Sequence, residues 1–339
     1  MPESPLLAHL APAATVTLAL WRVAEHFGDI EAEVGAVHDH AGVMERSERG
    51  RLEVRGADRV TWLNRIVSND VTALAEDQAQ RAFLLTVKGH LACDLRIVRL
   101  SDRLLLETAF DSADGLLAAL RRYVVYGDRV TLADVRSDTC QIAVHGPAAA
   151  DIAGRVTGLD VASLPRLGAV EGDGGLVVVR GDELGEPGFD VIADAGRGLE
   201  LWTALAAQAR PFGWRASEIL RLEAGAPRWG AELTPDVMPL ETGLEDALSH
   251  TKGCYPGQEY VARMRDRGHA NRHLRALSIA GDEVPARGTE LSVQDKSAGT
   301  ITSAARSPRL GVRAMGYVRT AYAGPGTVLR AGSVEATVL

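Results

Sequence analysis

The sequence predicts a mixed α+β protein of two or three domains that closes on a small all-β barrel or sandwich. Three observations carry this. The chain has 339 residues, more than one ordinary hydrophobic core accommodates. Up to residues 265–275, segments with period-two alternation are interleaved with segments of helical spacing. From about residue 272 to 339 helical patterning stops. "RALSIAG", "TELSVQ", "AGTITSAARSP", "AMGYVR", "TVLRAG" and "VEATVL" then read as short strands separated by Gly, Pro and Asp.

The elements follow in order. "DIEAEVGAVHDHAGVM" reads as a short helix and a turn. In "RLEVR", Leu52 and Val54 alternate with Arg51, Glu53 and Arg55, a strand with one buried face. Asp58 is placed to cap a helix carrying Val60, Leu63, Ile66 and Val67. A three-strand meander follows, with turns at Lys88-Gly89 and Ser101-Asp102. "SADGLLAALRRYVVY" is an amphipathic helix, and "RVTLADV" and "TCQIAVHGP" are strands. "GGLVVVRGD" and "GFDVIAD" are further strands, and "RGLELWTALAAQAR" and "WRASEILRLEAGAP" are helices, the second ending near Gly225.

Composition narrows the function. With 46% hydrophobic and 24% charged residues the chain has a soluble globular profile. A net charge of −8 disfavours nucleic acid, which selects a basic face. No apolar run reaches the roughly 18 residues of a membrane helix. The N-terminal "MPESPLLAHLAPAATVTLAL" carries three prolines and no basic start, so it reads as an extension or docking segment. Cys93, Cys140 and Cys254 are odd in number and widely spaced, which implies no disulfide framework and a reducing cytoplasm. Cys140, at the start of a strand, reads as a small buried apolar residue. His38 and His40 flank Asp39 at a spacing that fits no common metal motif, and no metal is expected. GxGxxG after a strand, GxxxxGK[ST] and GxSxG are all missing.

One stretch concentrates chemistry. In "TKGCYPGQEYVARM", Gly253 and Gly257 permit positive φ around Cys254, and Pro256 suits the first turn of a following helix. Free amides at that helix start, Lys252, and the run Arg263, Arg265, Arg267, Arg272 and Arg275 would favour a thiolate. The competing reading is a structural cysteine in a turn beside a solvated basic face.

"KGCYPGQE" resembles the signature of the YgfZ-type folate-binding proteins, relatives of the glycine-cleavage T protein. "LLTVKGHLACDLRIVRL", "GDELGEPGFDVI", "RLEAGAPRWGAELTPDVMPLETGL" and "AGTITSAARSPRLGVRAMGYVR" are similar to T-protein stretches, in the same order, over about residues 25–339. The resemblance implies a three-domain cloverleaf ring with a folate pocket in its central hole. Domain one would comprise 1–55 and 140–255, domain two 56–139, and the C-terminal β-barrel domain 256–339.

It also implies site residues. "GHLACD" aligns with a turn that carries two aspartates in T proteins, so Asp94 takes the second position and Cys93 replaces the first. Asp94 would handle a proton at the folate; the plainer alternative is a residue capping a hairpin turn. Glu186 would pair with the pterin edge, with Asp190 as alternative, while Glu183 stands where T proteins have a tyrosine. Arg221 would meet the glutamate tail with Glu223 bracing it; both could instead be a surface ion pair. Trp229 would stack on pterin or pack as core, and Glu241 matches a family glutamate.

The function implied is tetrahydrofolate binding in aid of iron–sulfur cluster assembly or repair, with Cys254 as functional thiol and iron–sulfur client proteins as partners. The alternatives are a folate-dependent aminomethyl or one-carbon transferase and a non-catalytic docking protein. Neither nucleic acid nor membrane is expected as a partner.

Overall fold

A computed structural model describes residues 4, 6–18 and 21–339. The described chain opens with α1 (Leu7–Leu10) and a hairpin of β1 (Ala14–Leu18) and β2 (Trp21–His26). This segment is built into the molecule: Leu6, Leu7, Leu10 and Ala24 are buried in the core of the first sheet. α2 (Ile30–Asp39) begins at Asp29, whose carboxylate accepts from the Ala32 N–H. β3 (Gly42–Glu45), β4 (Arg49–Arg55) and α3 (Arg59–Asn64) follow. Asp58 precedes α3 but does not cap it, because Arg129 occupies its carboxylate.

The expected meander is β5 (Gln78–Leu85), β6 (Leu91–Arg99) and β7 (Arg103–Ala109). α4 (Phe110–Arg121), β8 (Thr131–Asp134), β9 (Thr139–His145) and α5 (Ala149–Thr157) come next. β10 (Ala169–Glu171), β11 (Val177–Arg180), β12 (Gly188–Asp194), α6 (Gly198–Ala206), β13 (Arg210–Pro211) and α7 (Trp214–Glu223) complete the middle of the chain. α8 (Gln258–Arg267) leads into β14 (Arg272–Ile279), β15 (Glu290–Val293), β16 (Lys296–Ser307), β17 (Gly311–Arg319), β18 (Val328–Ala331) and β19 (Val334–Val338).

Strand pairing sorts these into three units. The first sheet runs β10-β11-β12-β9-β3-β13 and the second β5-β6-β7-β4-β8. The second sheet thus includes Arg49–Arg55, which the sequence reading places with the first domain. The last six strands close into a barrel, β14-β17-β16-β15-β18-β19. Closure leaves no open edge, which lets strands this short and Gly-punctuated hold together.

Each unit has its own core. Ile142, Val144 and Val191 pack against α5 and α6 in the first; Leu95, Ile97 and Leu106 pack against α3 and α4 in the second. The joints differ. Ala79, Val98, Val177 and Ile192 join the two sheets, and Phe83, Leu91, Tyr255, Leu274 and Tyr317 join the second sheet to the barrel. Both are apolar. α7 meets the barrel through Leu222, which belongs to the second of these clusters, and through polar contacts of Arg221 to Ser303 and Glu223 to Ser307. No helix among the described residues is long and apolar enough to cross a membrane.

Candidate functional site

A cavity of about 480 Å³ lies where the three units meet. Its lining comes from every part of the chain: Trp21 of the hairpin, Met44 and Arg46 near β3, His145 of β9, Arg81 and Asp94 of the second sheet, Phe110 and Asp111 of α4, Trp229, and Arg287 of the barrel. α7 contributes Trp214, Ser217, Glu218 and Arg221. Their i, i+3, i+4, i+7 spacing is one helical stripe, turned here toward the cavity. The walls therefore combine aromatic faces with guanidinium groups and carboxylates.

Asp94 is a strand residue paired with Phe83, five residues past Gly89 in the Thr86–His90 turn, so the hairpin-cap reading fails. Side chains alternate along β6. Cys93 and Leu95 point into the core of the second sheet, while Asp94 and Arg96 point to the opposite face. The Cys93 thiol sits 2.9 Å from Thr108 Oγ1, and burial pushes its pKa up to about 12. Cys93 is therefore a core residue of the second sheet and takes no part in lining the cavity. Burial also raises the Asp94 carboxyl above its ordinary range, against the opposing pull of Arg81 and Arg49.

Behind Asp94 lies a buried charge network. The Arg96 guanidinium donates to both Glu107 oxygens and to Asp190, and reaches Glu183 at 3.5 Å. Burial opposes ionisation of Glu183 and Asp190, but Arg96 outweighs it: Glu183 falls to about 2 and Asp190 lies well below the carboxylate range. Burial lowers the pKa of His145, so its ring is neutral and offers one N–H and one lone pair. The ring fits because residue 188 is glycine: a Cβ there would lie 2.2 Å from His145 Nδ1. Both ring nitrogens, Glu183 Oε2, Glu48 Oε2 and Trp21 Nε1 are buried without a hydrogen-bond partner among the described residues. All four residues line the cavity. Unpaired buried polar atoms are costly, and a ligand that pairs them removes the cost.

The structure redistributes the expected roles. Arg221 lines the cavity, but its five N–H groups are spent inside the protein, on both oxygens of Glu218 and on Glu232, Ala226 O, Ser303 and Met315 Sδ. It has no donor left for a tail carboxylate. Glu218 and Glu232, not Glu223, brace it. Glu223 bonds His38 Nε2 at 2.7 Å and Ser307. Glu186 accepts His38 Nδ1 at 3.1 Å and does not line the cavity; nor does Asp190, which is buried against Arg96 and Gln141. Trp229 is partly buried, packing against the joint to the barrel while it lines the cavity. Glu241 accepts the Met238 N–H and pairs with Arg272.

Cys254 is exposed, but it does not line the cavity. Gly257 takes positive φ and is the residue before α8; Gly253 does not, and Pro256 lies two residues before the helix start. The turn packs on the β5–β6 hairpin tip, where a Cβ on Gly257 would come within 2.5 Å of Thr86 O. Lys252 is committed elsewhere: its amino group donates to the carbonyls of Asn64, Val67 and Asn69. Arg263 pairs with Glu259, Arg265 with Asp266, and Arg272 with Glu241, while Arg275 donates to backbone carbonyls. Each of these cations is thus engaged with a partner other than Cys254. The cavity arginines and tryptophans outside the motifs escape sequence reasoning, because their shared feature is convergence in space.

Comparison with known proteins agrees with this architecture. Residues 8–252 match the family described as GCVT N-terminal domain, and residues 272–338 match the glycine cleavage T-protein C-terminal barrel domain. An aminomethyltransferase of Halalkalibacterium halodurans is 30% identical over 300 residues, covering 86% of this chain and 81% of that protein. One from Rubrobacter xylanophilus is 32% identical over 320 residues, covering 93% and 84%. The crystal structure of glycine cleavage system aminomethyltransferase T from Bartonella henselae superimposes with a TM-score of 0.91 at 24% identity, covering 99% of this chain and 96% of that one. The fold is thus the mixed α/β T-protein fold with a closed six-strand C-terminal barrel, and the chain belongs to the glycine cleavage T-protein family.

Proposed function

We propose that the protein is a folate-dependent one-carbon transferase of the aminomethyltransferase type, which binds tetrahydrofolate in the central cavity and uses Asp94 as its proton-handling group. The observation that carries this reading is the strand alternation at residues 93 and 94. The missing first carboxylate lies on the core side, and the cavity keeps the carboxylate that faces a ligand. The names of the similar aminomethyltransferases support the same reading.

The residues present suit a reduced folate. A volume of about 480 Å³ falls in the range of ligand pockets. Trp21, Trp214, Trp229 and Phe110 offer flat apolar faces for a bicyclic ring and an aminobenzoyl group. The unpaired atoms of His145, Glu183 and Glu48 offer both donors and acceptors to the polar edge of a pterin. Bound tetrahydrofolate would supply the nitrogens that carry the one-carbon unit. Asp94, its carboxyl pushed above the ordinary range by burial, is suited to give or take a proton there. The low-pKa pair Glu183 and Asp190 keeps its charge and fixes Arg96 behind it.

The second reading is the YgfZ-type role: a folate-binding protein that serves iron–sulfur enzymes through Cys254 in a reducing cytoplasm. The exposure of Cys254, beside the burial of Cys93 and Cys140, favours it. One experiment separates the two. Tetrahydrofolate is titrated calorimetrically, and turnover is measured with a folate, a one-carbon donor and an acceptor. The transferase reading expects Asp94→Ala to lose 10²–10⁴-fold in rate, roughly the worth of general acid–base catalysis, while folate still binds and Cys254→Ala keeps full turnover. No heat with tetrahydrofolate would refute a folate site. Turnover absent in the wild type, with iron–sulfur enzyme activity in a deletion strain restored by Asp94→Ala but not by Cys254→Ala, would select the second reading.

A further inference from the structure

We infer that the floor of the cavity is a carboxylate-binding recess, formed by Arg49 and Arg81 beside Asp94. The recess opens from the main cavity, holds about 40 Å³, and is lined by Arg46, Arg49, Arg81, Asp94, Arg96 and Glu183 over Leu95 and Glu107. This inference deepens the folate reading of the cavity and rests on it for the identity of the reaction. The recess itself is argued from charge and geometry.

The ion pairs around the recess are unequally shared. Arg96 is held by Glu107, Asp190 and Glu183; Arg46 stands 3.7 Å from Glu48 and 4.0 Å from Asp190. Arg49 and Arg81 make no side-chain hydrogen bond or ion pair among the described residues, although both are half-buried. Arg81 pairs across the sheet with Arg96, and Phe83 with Asp94. Arg81 and Asp94 are therefore diagonal neighbours on one face, a separation that a guanidinium spans. Arg49, opposite Ala109 on β4, brings a second guanidinium to the same carboxylate. Glu48 and Glu183 also lie in the field of these cations, but each is already matched to Arg46 or Arg96. Neither Arg49 nor Arg81 can deprotonate, and neither spends a guanidinium N–H on a protein group among the described residues, so both guanidinium forks are free to hold one planar anion.

Size and shape define that anion. A water occupies roughly 10–15 Å³ on the same measure, so the recess takes on the order of three heavy atoms, the size of a carboxylate. A guanidinium matches a planar carboxylate through two parallel hydrogen bonds. The group has two possible sources: the glutamate tail of the folate, or a small carboxylic or amino acid that gives or accepts the one-carbon unit. Seated between Arg49 and Arg81, the second would place its neighbouring atoms at Asp94.

The test reads the fluorescence of the cavity tryptophans. Wild type, Arg49→Met, Arg81→Met and the control Arg287→Met are titrated with acetate, glycine and methylamine. They are then titrated with tetrahydrofolate and with a methyltetrahydropterin that lacks the tail. Arg49 and Arg81 make no bonds to the protein, so their variants should melt within a few degrees of wild type. The recess predicts saturable acetate and glycine binding, no methylamine binding, and at least tenfold weaker carboxylate binding in Arg49→Met and Arg81→Met but not in Arg287→Met. A preference for tetrahydrofolate over the tailless pterin that vanishes in the two variants assigns the recess to the tail. A preference that survives, with acetate or glycine affinity lost, assigns it to a co-substrate. Carboxylate and tetrahydrofolate affinities unchanged in both variants overturn the recess. Acetate binding without any binding of tetrahydrofolate leaves the recess standing and removes the folate reading instead.

Discussion

Cys93 and Asp94 are neighbours in sequence and face opposite ways on β6. A motif read as a string treats them as one site; the pleat assigns one to the core and one to the cavity. The same alternation was available at Leu95 and Ile97, whose apolar character marks the core face. Asp94 and Trp229 were legible in the sequence as cavity residues, whereas the partners of Arg221 were not, because Glu232 and Ser303 reach it through the tertiary fold. A residue-scale prediction concerns Glu45. It is buried, and burial together with the charge of Glu48 raises its pKa to about 7. Between its ordinary value of 4.5 and about 7 the folded chain holds a proton that the unfolded chain releases. Stability is therefore full below that window and falls as pH rises through it. Glu45→Gln should match wild type in melting midpoint near pH 4.5 and exceed it increasingly up to about pH 7, with a constant gap above. Parallel curves across that range would contradict the assignment.

At the level of elements, α7 was legible as a helix, yet its cavity stripe of Trp214, Ser217, Glu218 and Arg221 reads as an ordinary polar face until the cavity is seen. α8 and all six barrel strands were foreseen from turn residues and period-two runs. α5 was not, since "AADIAGRVT" offers only small and mixed residues, nor was the N-terminal hairpin, which alternates weakly after a proline-containing stretch. The turn before α8 gives the test at this scale. Gly257 holds φ +81°, and a side chain there would meet Thr86 O at 2.5 Å. Gly257→Ala should cost about 1–3 kcal/mol, measured by chemical denaturation, from left-handed strain and a displaced hairpin tip. Tetrahydrofolate affinity should change little, because residues 253–257 do not line the cavity. An unchanged stability would mean that the turn does not brace the hairpin.

The molecule as a whole is held by unequal joints. Apolar clusters fuse the second sheet to both neighbours, whereas α7 meets the barrel through Leu222 together with the polar contacts Arg221–Ser303 and Glu223–Ser307. His38 of α2 backs the second contact, its Nε2 2.7 Å from Glu223. Polar joints give way more readily than apolar ones when a partner is removed, because the remaining group is left buried and unpaired. His38→Ala should cost ~1–3 kcal/mol and speed amide exchange in β16 around Ser307, with the five-strand sheet unaffected. Uniformly faster exchange across all three units would show instead that the joint carries no separate role.

The sequence by itself determined the mixed architecture, the closing barrel, the kinship to the wider T-protein family and one cavity carboxylate, because side-chain period, turn residues and motif order are local properties of the string. Only the tertiary structure decided which groups face one another. It turned Cys93 inward, saturated Arg221, took Glu186 out of the cavity, kept Cys254 away from it, and left Arg49 and Arg81 without a side-chain partner among the described residues. The physical reason is that hydrogen-bond satisfaction and charge balance are set by neighbours brought together from distant parts of the chain, and no local pattern records them.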